Sequence, residues 1–122
     1  MTDQFSRTEL LIGKEKLEKI KKSKVAVFGI GGVGSFVVEG LARAGVESFI
    51  LVDKDKVDLS NLNRQIISLQ YNIGDDKTRA WEKRIKDINP LCEVIVINEF
   101  IKIVLILTSK SCMIIAISGN IE

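Results

Sequence analysis

"KVAVFGIGGVGSF", residues 24–36, decides how the chain is read. Its first half is a continuous apolar run that ends in glycine, the pattern of a strand buried on both faces of a parallel sheet. Its second half places glycines at 29, 31 and 34. Gly29 permits a tight turn, Gly31 lets the backbone approach a phosphate, and Gly34 lets a following helix pack closely on the strand. A helix entered through such a turn offers free N–H groups and a partial positive charge to an anion.

The segments on either side continue the alternation. Residues 6–22 read as one amphipathic helix, with Ser6 and Glu9 at capping-box spacing and Leu10, Leu17 and Ile20 on one face. The lysines between Lys14 and Lys24 read as its solvated face, with a phosphate-contacting patch as the lesser reading. Helical spacing resumes after Gly34 through Val37, Val38, Leu41 and Ala44, and Gly45 is a stop. "ESFILVD" is a second strand ending at Asp53, and "KDKVDLSNLNRQ" is a polar loop. "GDDKTRAWEKRIKDINP" is a helix capped by Asp75 or Asp76, with Trp81, Ile85 and Ile88 inward and Asn89-Pro90 at its end. "CEVIVINEF" is a third strand. The order α-β-α-β-loop-α-β predicts a Rossmann-like, doubly wound α/β fold with a parallel sheet.

Composition excludes several chemistries. The chain has 122 residues, 46% hydrophobic and 28% charged, with a net charge of +2. That length suits one domain or part of one. It has no histidine, so a Ser-His-Asp triad and a histidine metal site are excluded. Cys92 and Cys112 form no CxxC pair, which argues against a zinc site or disulfide framework and for a reduced, cytoplasmic chain. No signal peptide and no apolar run of membrane-spanning length is visible, and no metal ligand set is expected.

The glycine turn alone leaves NAD and ATP open. Asp53 follows Gly34 by 19 residues and ends the second strand, where a carboxylate can accept from ribose hydroxyls of either. A triphosphate needs more cations than a pyrophosphate does. Arg64 and Lys77 are placed to supply them, and Asn61 adds a neutral donor and acceptor.

"GIGGVGS", "LVDKDKVDLSNLNRQ", "GDDK" and "INPLC" in register resemble the E1-like adenylating superfamily, from about Phe5 to Phe100. Those motifs are GxGGxGS, DxDxV, SNxNRQ and GxxK. Within it, "FSRTELLIGKEKLEKI", "NRQI" and "INPLCEV" are similar to the tRNA threonylcarbamoyladenosine dehydratases. The resemblance implies ATP-dependent activation of a carboxylate on a tRNA nucleoside, followed by ring closure, in a homodimer with Mg2+ at the site. It implies that Gly29, Gly31, Gly32 and Gly34 form the phosphate loop, with the Gly32 amide on the nucleotide. Asp53 would hold the ribose, and Ser60, Asn61, Leu62, Asn63 and Arg64 would line the nucleotide. Arg64 and Lys77 would neutralise phosphate charge, and Arg7 would reach the partner's site across the dimer. Cys92 matches a family position, but it follows Pro90 at the start of a strand and reads as structural, not as a nucleophile.

The resemblance implies an aspartate near the metal at the end of a fourth strand, and no aspartate follows Asp87. "CMIIAISGN" echoes that strand, with Ser118 in the aspartate's place and a short spacing from Phe100. Residues 101–122 are therefore expected to be a non-matching apolar tail, as after a frameshift or premature end, and the chain an incomplete, inactive copy, with a diverged short protein and an altered chain as the lesser readings. Ile103–Leu107 would be an exposed β-prone segment. A sulfur-carrier adenylyltransferase, a NAD-binding oxidoreductase fragment and a non-catalytic nucleotide-binding module stay open as other readings.

Overall fold

The computed structural model describes residues 3–98 and, by its backbone, the strand 113–116. Two short helices, α1 (Ser6–Ile12) and α2 (Lys14–Lys22), lead into β1 (Lys24–Phe28). Then come α3 (Gly32–Ala44), β2 (Ser48–Val52), α4 (Lys77–Ile88), β3 (Glu93–Ile97) and β4 (Met113–Ala116). Two 3-10 turns, Leu59–Asn61 and Gln70–Asn72, shape the loop after β2.

The four strands are parallel in the order β3-β2-β1-β4. The chain moves outward from β1 through β2 to β3, then crosses to β1's other edge. That reversal is the switch point of a doubly wound sheet, and ligands bind beside it at the carboxyl ends of the strands.

Strand periodicity explains the two cores. Val25, Val27, Phe49 and Leu51 face α3 and α4, packing with Ile30, Val38, Ala42, Trp81 and Ile85. The alternate residues Ala26, Phe28, Ile50, Val52 and Ile97 form a smaller cluster on the opposite face. Helices α3 and α4 are also tied by charge. Arg84 grips the Glu39 carboxylate through Nε and Nη2 at 2.6 and 2.9 Å, and Arg43 Nε reaches the same group at 2.8 Å. These donors, Arg84 first, hold the Glu39 carboxyl below its ordinary value against the opposing effect of burial.

Several local expectations change. The first helix is two, because Gly13 takes φ 90° and ψ 160°, which breaks helical geometry. The Ser6–Glu9 capping box does not form: Phe5 is the cap, and the Ser6 hydroxyl instead accepts from the Asp3 N–H at 2.8 Å. Leu10 does not join the inner face but is 89% exposed, and α1 buries no residue. The glycine-loop helix starts at Gly32, ahead of Gly34, and stops at Gly45 with φ 115°. Asp76 occupies the cap position of α4 without a side-chain cap bond, its carboxylate taking Lys56 Nζ at 3.2 Å and Asn98 Nδ2 at 3.3 Å. Met113–Ala116, within the tail, pairs in register with Val25–Phe28 as the fourth strand. Ile103–Leu107, Cys112 and Ser118 lie outside the described residues.

Candidate functional site

The glycine loop joins β1 to α3 at the carboxyl edge of the sheet. Gly29 has φ 83°, a conformation open to glycine, and its N–H donates to the Val52 carbonyl at 2.9 Å. Gly31 is the N-cap of α3 and supplies no side chain, so no side-chain bond closes the helix entrance. A Cβ built on Gly32 would meet nothing within 4 Å. The first-turn amides therefore border open space, as anion binding requires. Gly34 is buried within α3.

Two side chains hold the loop. The Ser35 hydroxyl donates to the Ile30 carbonyl at 3.1 Å, and Ser35 is fully buried. Asp53, 2% exposed at the end of β2, accepts from the Ile30 N–H at 3.0 Å through Oδ2. Its Oδ1 accepts from the Asp55 N–H at 2.8 Å. Asp53 thus ties the glycine loop to the start of the polar loop. Each carboxylate oxygen keeps a further lone pair for a ribose hydroxyl.

The segment Ser60–Arg64 is built as a cap. Asp58 accepts from the Ser60 N–H at 2.9 Å and from the Ser60 hydroxyl, while Asn61 Oδ1 accepts from the Asp58 N–H at 2.9 Å. The Ser60 donors hold the Asp58 carboxyl below its ordinary value, and the Lys77 charge pushes the same way. Asn61 is buried, Leu62 half-buried, and Asn63 exposed. Arg64 Nη1 donates to the Ser60 carbonyl at 3.0 Å and to Asn63 Oδ1 at 2.9 Å. Arg64 shares a shallow cavity of about 530 Å³ with Gly32, Val33, Phe36 and Val37. The structure thus brings Arg64 beside the glycine loop.

Lys77 is only 4% exposed, its N–H donating to the Asp55 carbonyl at 3.1 Å and its Nζ lying 3.9 Å from Asp55 Oδ2. Lys77 is thus held on a carboxylate and Arg64 on a carbonyl and an amide oxygen, so the two do not stand as a bare cation pair. Arg7 is not brought to this loop. It is exposed on α1, next to Phe5, which packs near Gly45 at the far end of α3. Cys92 is buried, its Sγ 3.4 Å from the Val46 carbonyl, and burial with the nearby Glu47 charge pushes its thiol up to about 11. That is the state of an inert structural thiol. Sequence reasoning missed Ser35, Asp55 and Asp58. The serine closing GxGGxGS and the acidic residues spaced along "DKDKVD" were their only signals.

Among the described residues, no group of three or more His, Cys, Asp or Glu side chains is placed to hold a metal ion. Asp53, Asp55 and Asp58 are engaged by backbone amides, Lys77 and Ser60. These residues do not fit a magnesium cage. Among the described residues, no helix is long and apolar enough to cross a membrane.

A glycine turn opening onto an uncapped helix at the switch point defines a doubly wound α/β domain of the mononucleotide-binding type. The chain belongs to the ThiF family, whose model matches residues 5–115. That match runs past Phe100 into β4. The chain is 56% identical over 100 residues to a tRNA threonylcarbamoyladenosine dehydratase of Bacillus subtilis, covering 82% of this chain and 39% of that protein. It is 36% identical over 94 residues to a sulfur carrier protein adenylyltransferase of Thermus thermophilus, covering 75% and 35%. The Escherichia coli tRNA threonylcarbamoyladenosine dehydratase TcdA, solved in complex with ATP, superposes with TM-score 0.91 at 34% identity. That match covers 98% of this chain and 50% of TcdA. The chain therefore spans half or less of the relatives it matches.

Proposed function

We propose that this domain binds ATP and serves the activation of a carboxylate on the threonylcarbamoyl group of a tRNA, in the cytoplasm. The observation that carries the reading is the uncapped Gly31–Gly34 helix entrance with Arg64 beside Gly32. The ATP complex of TcdA supports it through a likeness that covers nearly the whole chain. The identity to the Bacillus subtilis dehydratase, well above that to the sulfur carrier adenylyltransferase, favours tRNA over a sulfur carrier.

In this reading the amides of the α3 entrance receive phosphate oxygens, and Asp53 accepts from the ribose while steadying the loop. Arg64 keeps Nε and Nη2 for an anion while Nη1 stays on Ser60 and Asn63. The substrate carboxylate attacks the α-phosphorus, and the bond from that phosphorus to the bridging oxygen of pyrophosphate breaks. Arg64 and Lys77 offset the charge that develops on the phosphate oxygens, and positioning does much of the remaining work. Arg7, remote from its own loop, acts in a homodimer on the partner's nucleotide.

Calorimetric titration of the full chain with ATP and with NAD tests the assignment. ATP should bind more tightly, and Arg64→Ala should weaken it. Tighter binding of NAD, or an ATP affinity unchanged in Arg64→Ala, refutes it.

A further inference from the structure

The lysines of α2 have no part in the nucleotide site, yet they concentrate the chain's positive charge. Residues 14–24 hold six lysines against two glutamates, whereas the whole chain holds 18 basic against 16 acidic residues. Of the six, only Lys21 makes an ion pair among the described residues, with Glu18 at 4.0 Å. Lys14, Lys16, Lys19, Lys22 and Lys24 are exposed. Elsewhere in the described residues, five of the basic side chains, Arg43, Lys56, Lys77, Arg79 and Arg84, each sit against a carboxylate.

Helix stability does not account for this. Lys19 and Lys22, in the last turn, complement the negative end of the helix dipole. Lys14 and Lys16 stand in the first turn, at the positive end, where a cation is unfavourable. Their placement costs stability without an intramolecular partner to offset it.

Position supplies the other half of the argument. Leu17 and Ile20 seat α2 against Gly45, at the C-terminal end of α3. The glycine loop lies at the N-terminal end of the same 13-residue helix. At about 1.5 Å per residue the two ends are about 20 Å apart. A small substrate at the loop would not touch α2, whereas a folded polyanion would span both.

We propose that the α2 lysines are a docking surface for the phosphate backbone of the RNA whose nucleoside enters the site. The proposal rests on the tRNA reading given above. The contacts are to phosphates, so they position the RNA without reading its sequence.

The experiment measures binding of an unmodified tRNA transcript to the full chain across a salt series. The wild-type chain is compared with Lys14→Gln/Lys16→Gln/Lys19→Gln/Lys22→Gln and with the same four positions changed to Arg. Each lost phosphate contact should make the plot of log affinity against log salt shallower by about one. The Gln variant should therefore lose about three to four from the slope, and the Arg variant should retain it. ATP affinity should be equal in all three. Lys14→Gln/Lys16→Gln alone removes unfavourable first-turn charge, so it should melt no lower than wild type and still lose about two from the slope. A wild-type chain that binds ATP but not the transcript refutes the tRNA reading and this proposal with it. Transcript binding with an unchanged slope in the Gln variants refutes this proposal alone. So does lysine-dependent binding to mixed phosphatidylcholine and phosphatidylserine vesicles with lysine-independent binding of RNA, which would make the patch a membrane contact.

Discussion

Asp53→Asn separates a structural from a ligand role at the centre of the site. The wild-type carboxylate accepts two backbone N–H groups, from Ile30 at 3.0 Å and Asp55 at 2.8 Å, at 2% exposure. Asparagine has the same shape but only one acceptor oxygen. It can keep one of the two bonds, now neutral, and must turn its NH2 toward the other amide. One charge-assisted bond, worth about 1.5–3 kcal/mol, is lost, and a buried donor is left unmatched at a further cost of about 1–3 kcal/mol. The expected loss is about 3 kcal/mol, a large share of the roughly 5–15 kcal/mol that stabilises a typical domain. Urea unfolding without nucleotide measures it, followed by the fluorescence of Trp81, the single tryptophan, which is fully buried. At about 4–8 °C per kcal/mol for a domain near this size, melting should fall by about 15 °C. If Asp53 serves only a bound ribose, the nucleotide-free protein will be unchanged. A loss under about 0.5 kcal/mol would refute the clamp.

Gly32→Ala should leave melting within about 0.5 kcal/mol of wild type, because its Cβ meets no atom within 4 Å, while calorimetry shows at least a tenfold loss of ATP affinity as the methyl enters the phosphate space. Gly45→Ala, at φ 115° with Leu17 Cδ1 3.4 Å from the new Cβ, should cost about 1–2 kcal/mol in a denaturant titration. Glu39 has a depressed folded-state value, so its contribution is present above the ordinary glutamate range and is lost as pH falls through the folded value. Melting curves of Glu39→Gln and wild type should therefore differ at neutral pH and converge in acid. Cys92, with a thiol pushed up to about 11, should resist iodoacetamide at pH 8 in the native chain and react once unfolded, as read by peptide mass spectrometry.

Much of the fold was legible because it rests on local pattern. The run Val25–Phe28, the glycines after it and the apolar spacing of Val38, Trp81 and Ile85 each state their element within a few residues. Parallel order follows from the alternation of strands and helices. The ThiF family membership, too, was written in motifs that are contiguous in the chain.

What needed the tertiary structure was every statement about partners. The sequence places an acid at 53, but only the fold shows it gripping the Ile30 amide 23 residues away. It places lysines at 14, 16 and 77 alike, yet Lys77 is buried on Asp55 and the other two face solvent without an ion pair among the described residues. Leu10 and Leu17 share one helical pattern, yet Gly13 turns the chain between them, so one is 89% exposed and the other 4%. The last strand was obscured because Met113–Ala116 pairs with residues almost ninety positions earlier in the chain. Periodicity records what a residue's neighbours in sequence do. Burial, charge pairing and strand order are set by groups far apart in the chain, whose meeting is decided only when the sheet assembles.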